Sequence, residues 1–565
     1  MKEKSNLSTA KYDMVVGITE EAINAQMASY LRWNDGPAVV QWYSQQSPNA
    51  PYKLMDPIED LGIDIFDIPT GGEVPGPLTA ENCYFVAAIR AKLGWPEENG
   101  EDAPDLLNLD RGINAVTFKM FFSEFQMVFL EFGRRGPSWT NIAQKPDQPF
   151  EFDYVVDLKF GSAEFDALTP EQRQQLNNLN PSSAWSVQQL YLDLTTAALL
   201  RSPSFNSGAM GTIIQNFVNS STWNKMVNGQ RLVLANTVRK INAAPINKPS
   251  MAPTSIQLGV SGFIEASGQH NNKSPLTTLN YLMMTDQDAM PPGQFGGFDW
   301  NWVEEKDRSN ANGCMAIKRD KFVQFLRDML CGTGSSMGPI NDICFLPSTT
   351  ASISHLGIAK LGSGISIDPS HISSMTIQPS GAEVLYLKYE KQSQSEDDNW
   401  NTAEVENELK YTLVFKVNLV GNEIRMSIDS QIYSRIKADI FNTGGSSGII
   451  GGYTMNPVYV IGVQPDGRLF ASLKKGSDTL TPKDKTVSSS ILGGLEGSAG
   501  MLEKESASFD SFAKNQLQAF NNDINSFLQH NGQLFIFPGG KTFTFKSPSF
   551  SEHQDLIAAL TYNTV

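Results

Sequence analysis

A stripe of large apolar residues near the C-terminus constrains this chain more than any other feature. Phe509, Phe512, Leu517, Phe520, Ile524, Phe527 and Leu528 advance in steps of three, five, three, four, three and one, which keeps them on one side of an α-helix. The opposite side is polar, with Lys514, Gln518, Asn521, Asn522 and Asn525, and Gly532 marks the stop. The pattern predicts a helix over 503–531, whose core of roughly 25 residues spans about 38 Å at 1.5 Å per residue. At ~1.5–3 kcal/mol for each large apolar side chain, the stripe gains ~10–20 kcal/mol from being covered. An uncovered helix of this kind would not persist, and a sheet laid along it is the simplest cover.

The rest of the chain supplies strands. Tyr12 to Gly17 reads as a strand leading into a helix, with Thr19 as N-cap, Glu20 and Glu21 in the first turn, and Ile23, Met27, Tyr30 and Leu31 on one face. From Glu151 to Ser204 the apolar period is two, as in Phe152 to Phe160 and Gln189 to Leu194. The stretch Val116 to Phe132 fits either period and is read as strand. Tyr411 to Leu419 and Ile424 to Ile432 form a hairpin about Val420-Gly421-Asn422-Glu423, and Pro457 to Val463 pairs with Leu469 to Leu473. A last hairpin is expected from Leu534 to Phe537 and Lys541 to Phe545. Asp288 to Gly313, Gln392 to Asn399 and Asn442 to Gly452 read as loops. The first loop holds Phe295, Phe298, Trp300 and Trp302, a cluster that suits a membrane or partner contact, although a loop folded back on its own domain is the commoner arrangement.

With 565 residues the chain is long enough for more than one core. The expected class is α+β and β-rich, with an N-terminal module over 1–250 and a C-terminal module over 251–565. Lys and Arg number 44 against 60 Asp and Glu, and without a basic stripe nucleic acid is not an expected partner. No window reaches the ~20 apolar residues of a spanning helix. No apolar signal core follows Met1 to Asn6, so synthesis in a reducing cytoplasm is expected, with any release to the outside by another route.

No catalytic fingerprint appears. Gly334 to Gly338 and Gly444 to Gly448 spell Gly-x-Ser-x-Gly, but neither sits between a strand and a helix as a nucleophile elbow must. His270, His355, His371, His530 and His553 show no ligand spacing, and Cys83, Cys314, Cys331 and Cys344 lack a Cys-x-x-Cys pair. The thiols read as buried and structural, with no metal or cofactor expected. An enzyme is not expected either.

Three stretches resemble the clostridial 47-kilodalton protein family of neurotoxin gene clusters, which belongs with OrfX-type proteins to the tubular lipid-binding (TULIP) superfamily. They are Tyr12-Asp13-Met14-Val15-Val16-Gly17 with its helix, Leu279-Asn280-Tyr281-Leu282-Met283-Met284-Thr285, and Phe537-Pro538-Gly539-Gly540-Lys541-Thr542-Phe543-Thr544-Phe545 with Leu560-Thr561-Tyr562. The resemblance implies elongated modules with long helices wrapped by strongly curved antiparallel sheets around an apolar groove. It implies a lipid or phosphoinositide ligand against Phe509, Phe512, Leu517, Phe520, Ile524 and Phe527, and a role beside a toxin or OrfX-type partner. The chain is over a hundred residues longer than the clostridial proteins. Two other readings stay open at this point: a protein-interaction scaffold without lipid, and a directly membrane-active insecticidal protein. An apolar stripe also more often faces core than ligand.

Overall fold

In the computed structural model the described residues are 2–562, apart from 34–35, 48–49, 80–84, 97–104, 112–114, 134, 146–148, 164–184, 202–207, 219–221, 223–224, 227–232, 241–252, 287, 333–336, 354–358, 369–374, 399–402, 441–444, 464–468, 490–497 and 531–542. The fold is α+β and β-rich, built from several antiparallel sheets and few helices.

The opening segment behaves as its residues demand. Met14–Thr19 is a fully buried strand, and the Thr19 hydroxyl accepts from the Ala22 N–H at 3.3 Å to cap the helix Glu20–Trp33. Ile23, Met27 and Leu31 turn inward. This strand lies inside a six-stranded central sheet, whose order is Ser255–Ser261, Thr278–Met284, Met14–Thr19, Gly313–Ile317, Leu556–Tyr562 and Phe543–Phe550. Its register pairs Val16 with Tyr281 on one side and with Met315 on the other. The expected boundary at residue 250 is therefore crossed by one sheet.

A buried carboxylate ties the ends of the chain into that sheet. Asp555 accepts from the Ser5 hydroxyl at 2.8 Å, the Leu7 N–H at 2.7 Å and the Arg319 N–H at 3.0 Å. Burial raises its pKa, and those three donors work against the rise.

Before residue 250 the chain forms two five-stranded antiparallel sheets. The ambiguous phenylalanine run proves to be two strands, Ala115–Met120 and Phe122–Gly133, which belong to different sheets. The chain changes sheets at Phe121, so Phe118, Phe122 and Phe125 all join one core at a spacing that imitates a helix.

After residue 318 the helix Arg319–Cys331 leads to a large sheet. Its centre is the hairpin Ala403–Val420 with Glu423–Ile440, turned at Gly421, whose φ of 62° suits glycine. The second expected hairpin is also present, Val458–Val463 pairing with Leu469–Leu473.

Two expected loops are strands. Gln392 to Asp397 belongs to the strand Glu383–Asp397, and Gly445 to Gly452 belongs to Gly445–Met455. The first looks like loop because both of its faces are polar, yet five of its six side chains are engaged. Gln392 and Gln394 donate to Glu408 and Glu406, both at 3.0 Å, while Ser393, Ser395 and Asp397 accept backbone N–H groups from Thr349, Ala351 and Ile353. The second is glycine-rich because other parts of the chain press on it: a Cβ at Gly451 would stand 2.7 Å from Phe509 Cδ1, and one at Gly452 would stand 2.6 Å from the Ser430 carbonyl. The expected final hairpin falls largely on 531–542, outside the described residues. Among the described ones, Phe543 to Phe545 pairs with Leu560 to Tyr562.

Candidate functional site

The terminal helix spans Ser498–His530, and its stripe is spent on packing. Phe509, Leu517, Phe520 and Ile524 are buried, and Phe512 is half-buried. Phe512 meets Phe345 edge-on at 5.0 Å, Phe520 meets Phe415 at 6.0 Å, and Phe509 lies between Phe345 and Tyr453. The Tyr459 hydroxyl reaches Asn521 Oδ1 at 3.1 Å from the sheet side. The side chain of Phe527 lies outside the described residues. The surface expected to hold a ligand is thus filled by the protein's own rings along its described length.

The aromatic loop is folded back on its own domain, the commoner of the two arrangements its residues allow. Phe298, Trp300 and Trp302 are buried, with centroids 4.8 to 5.4 Å apart, on the central sheet near Leu7, Val15 and Ile557. Gly17 permits this, since a Cβ there would meet Trp302 Cδ1 at 2.6 Å. As folded, these three side chains present no face to a membrane. Phe295 is the exception. It is half-buried, stacks edge-on with Tyr12 and Phe298, and overhangs the edge strand Ser255–Ser261 at Gly259.

Phe295 also lines an open cleft of about 910 Å³ between that edge strand and the N-terminal sheet that contains Phe152–Ala163. Leu158, Leu258 and Leu109 are buried in its floor. Phe160, Ile256 and Val260 are half-buried on its walls, and Phe160 meets Tyr281 of the central sheet at 6.2 Å where the two sheets come together. Asp110, Arg111, His270, Asn272 and Gln294 are exposed around its rim. Buried and half-buried apolar side chains share the cleft with exposed polar ones, and more of its exposed lining is polar than apolar, a mixture that offers contacts to both parts of an amphiphilic small molecule.

One wall of the cleft is held by two side chains a helical turn apart. Asn24 Oδ1 accepts from the N–H groups of Leu106 and Leu107 at 3.0 and 2.7 Å, and its Nδ2 donates to the Leu107 carbonyl at 3.0 Å. Glu20 accepts from the Leu109 N–H at 2.7 Å. Positions i and i+4 share a helix face, so the two act together on the backbone 106–109. Burial pushes the Glu20 carboxyl up to about 7, reinforced by Asp105 and Asp110 and opposed by the Leu109 N–H.

Sequence reasoning missed this cleft. Its residues come from five separated segments, and the alternation of Ile256, Leu258 and Val260 in an edge strand is the signal that could have hinted at it.

Other chemistry is sparse. Cys331 and Cys344 are buried, and burial pushes their thiols up to about 11 and about 12, which suppresses the reactive thiolate. Cys314 is buried too, and Cys83 lies outside the described residues. Among the described residues no group of three His, Cys, Asp or Glu side chains is placed to hold a metal, and no helix is long and apolar enough to cross a membrane. Of the two Gly-x-Ser-x-Gly segments, the first lies mostly outside the described residues, and the second runs into the strand Gly445–Met455 with no helix after it.

No protein-family model matches this chain, and no curated protein matches it by sequence. Among solved structures it is similar to P47 of Clostridium botulinum E1, at 9% identity and a TM-score of 0.40, over 98% of this chain and 99% of that one. A lipopolysaccharide binding protein is also similar, at 10% identity and a TM-score of 0.28, over the same shares. At these values neither likeness carries a function across.

Proposed function

We propose that this chain is a non-enzymatic lipid-binding protein whose ligand lies in the cleft between the edge strand Ser255–Ser261 and the N-terminal sheet. The carrying observation is the half-buried apolar lining of Phe160, Ile256 and Val260 around a volume of about 910 Å³. Folded proteins close apolar surfaces of this kind onto their own core unless something else covers them. The resemblance of Tyr12 to Gly17, Leu279 to Thr285 and the segment from Phe537 supports a further role, as accessory or component of a bacterial toxin system.

The test starts from protein purified without detergent. Native mass spectrometry should show bound lipid, and delipidated protein should take up a fluorescent fatty acid that Ile256→Asn excludes. Lipid-free protein that also ignores the probe would end the lipid reading. The toxin role is checked separately by pull-down with the products of neighbouring genes, where recovery of no toxin or OrfX-type protein counts against it.

A further inference from the structure

Resting on the lipid reading above, we infer that the cleft selects a single-chain amphiphile with an anionic head, held at the rim by Arg111 and His270. The cleft volume of about 910 Å³ lies at the upper end of the roughly 300–1,000 Å³ typical of small-molecule sites. One acyl chain with a compact head suits that space, while both chains of a bilayer phospholipid would crowd it.

The charge of the head follows from the rim. Arg111 is exposed and fixed through Nε, which donates to the Thr117 hydroxyl at 3.0 Å. With Nε engaged, its terminal nitrogens keep the fork that recognises carboxylate or phosphate. His270, Asn272 and Gln294, from two other segments of the rim, each carry an N–H donor. Asp110 is the one carboxylate among the lining residues, and it opposes an anion. Donors therefore outnumber carboxylates where the head emerges, and apolar side chains occupy the depth. A neutral head would leave the Arg111 fork unused. A cationic head would meet it.

The test compares oleate, 1-oleoyl lysophosphatidate and the uncharged monoolein on delipidated full-length protein by displacement of a fluorescent fatty acid. Either anion should bind at least tenfold tighter than monoolein, and the tighter of the two names the head as carboxylate or phosphate. Arg111→Gln should weaken the anions about tenfold and leave monoolein unchanged, a pattern that misfolding cannot produce. Asp110→Asn should tighten the anions a few-fold. Equal affinity for oleate and monoolein, or equal loss of both in Arg111→Gln, overturns the head-group assignment and leaves the lipid reading standing. Dioleoyl phosphatidylglycerol vesicles competing better than either single-chain anion overturn the single-chain assignment. Failure of every amphiphile to displace the probe overturns both.

Discussion

Two apolar surfaces of this molecule invite a ligand, and they end differently. Along the terminal helix the stripe Phe509 to Ile524 is met by rings of matching size from Phe345, Phe415 and Tyr453. Between the central and N-terminal sheets, Ile256 and Val260 face an open volume because they sit on the last strand of their sheet, beside exposed glycine-rich backbone at Gly293 and Gly296. A long stripe thus reports how much must be covered, not by what. Cover is decided by whether a partner element of the right bulk is within reach.

The largest effect that tests this contrast is in the helix. Phe520→Ala should cost about 3–5 kcal/mol, as truncation of a buried ring does, read by urea unfolding, with cleft affinity of the folded fraction unchanged. Preserved stability with lost lipid uptake would reverse the comparison. Asn24→Ala should cost about 2–3 kcal/mol by leaving buried backbone groups of Leu106 and Leu107 without partners. Faster hydrogen exchange at residues 106–111 would show that the cleft wall, and not the distant helix, has loosened.

Glu20→Gln sharpens the picture through pH. The folded carboxyl titrates near 7, above its ordinary 4.5, so its contribution is fully present below 4.5 and lost as pH rises to 7. The variant should lack that decline. Above pH 7 it should be more stable than the parent by on the order of 2 kcal/mol, while at pH 4 the two should unfold alike. A parent-minus-variant difference that stays flat between pH 4 and pH 8 would refute the buried, proton-holding role of Glu20. The smallest stability effect belongs to the open surface: Ile256→Asn should cost about 1 kcal/mol or less and still lower probe uptake at least tenfold.

Much of the fold was legible in the residues. The Thr19 cap, the turn at Gly421-Asn422 and the stripe from Phe509 to Ile524 each carry local signals that tertiary structure did not override. The polar strand Gln392 to Asp397 was misread because its stabilisation comes from side chains pairing with another strand and with a neighbouring hairpin's backbone. No period records that. Gly445 to Gly452 reads as loop because its glycines answer to close approaches from elsewhere in the chain, Gly451 to Phe509 and Gly445, Gly448 and Gly452 to the backbone of neighbouring strands. The cleft was illegible for a simpler reason: its walls are assembled by sheet order, which pairs Met14–Thr19 with strands more than 250 residues away.

That same sheet order sets a timetable for synthesis. The strand Gly313–Ile317 keeps an unpaired edge until Leu556–Tyr562 leaves the ribosome, roughly 240 residues later, or about 10–50 seconds at ~5–20 residues per second. Through that interval the nascent chain carries a row of bare N–H and C=O groups in an apolar strand, a template for pairing with another chain. Slowing translation after residue 317 should therefore raise aggregation, and supplying the last hairpin in trans should suppress it.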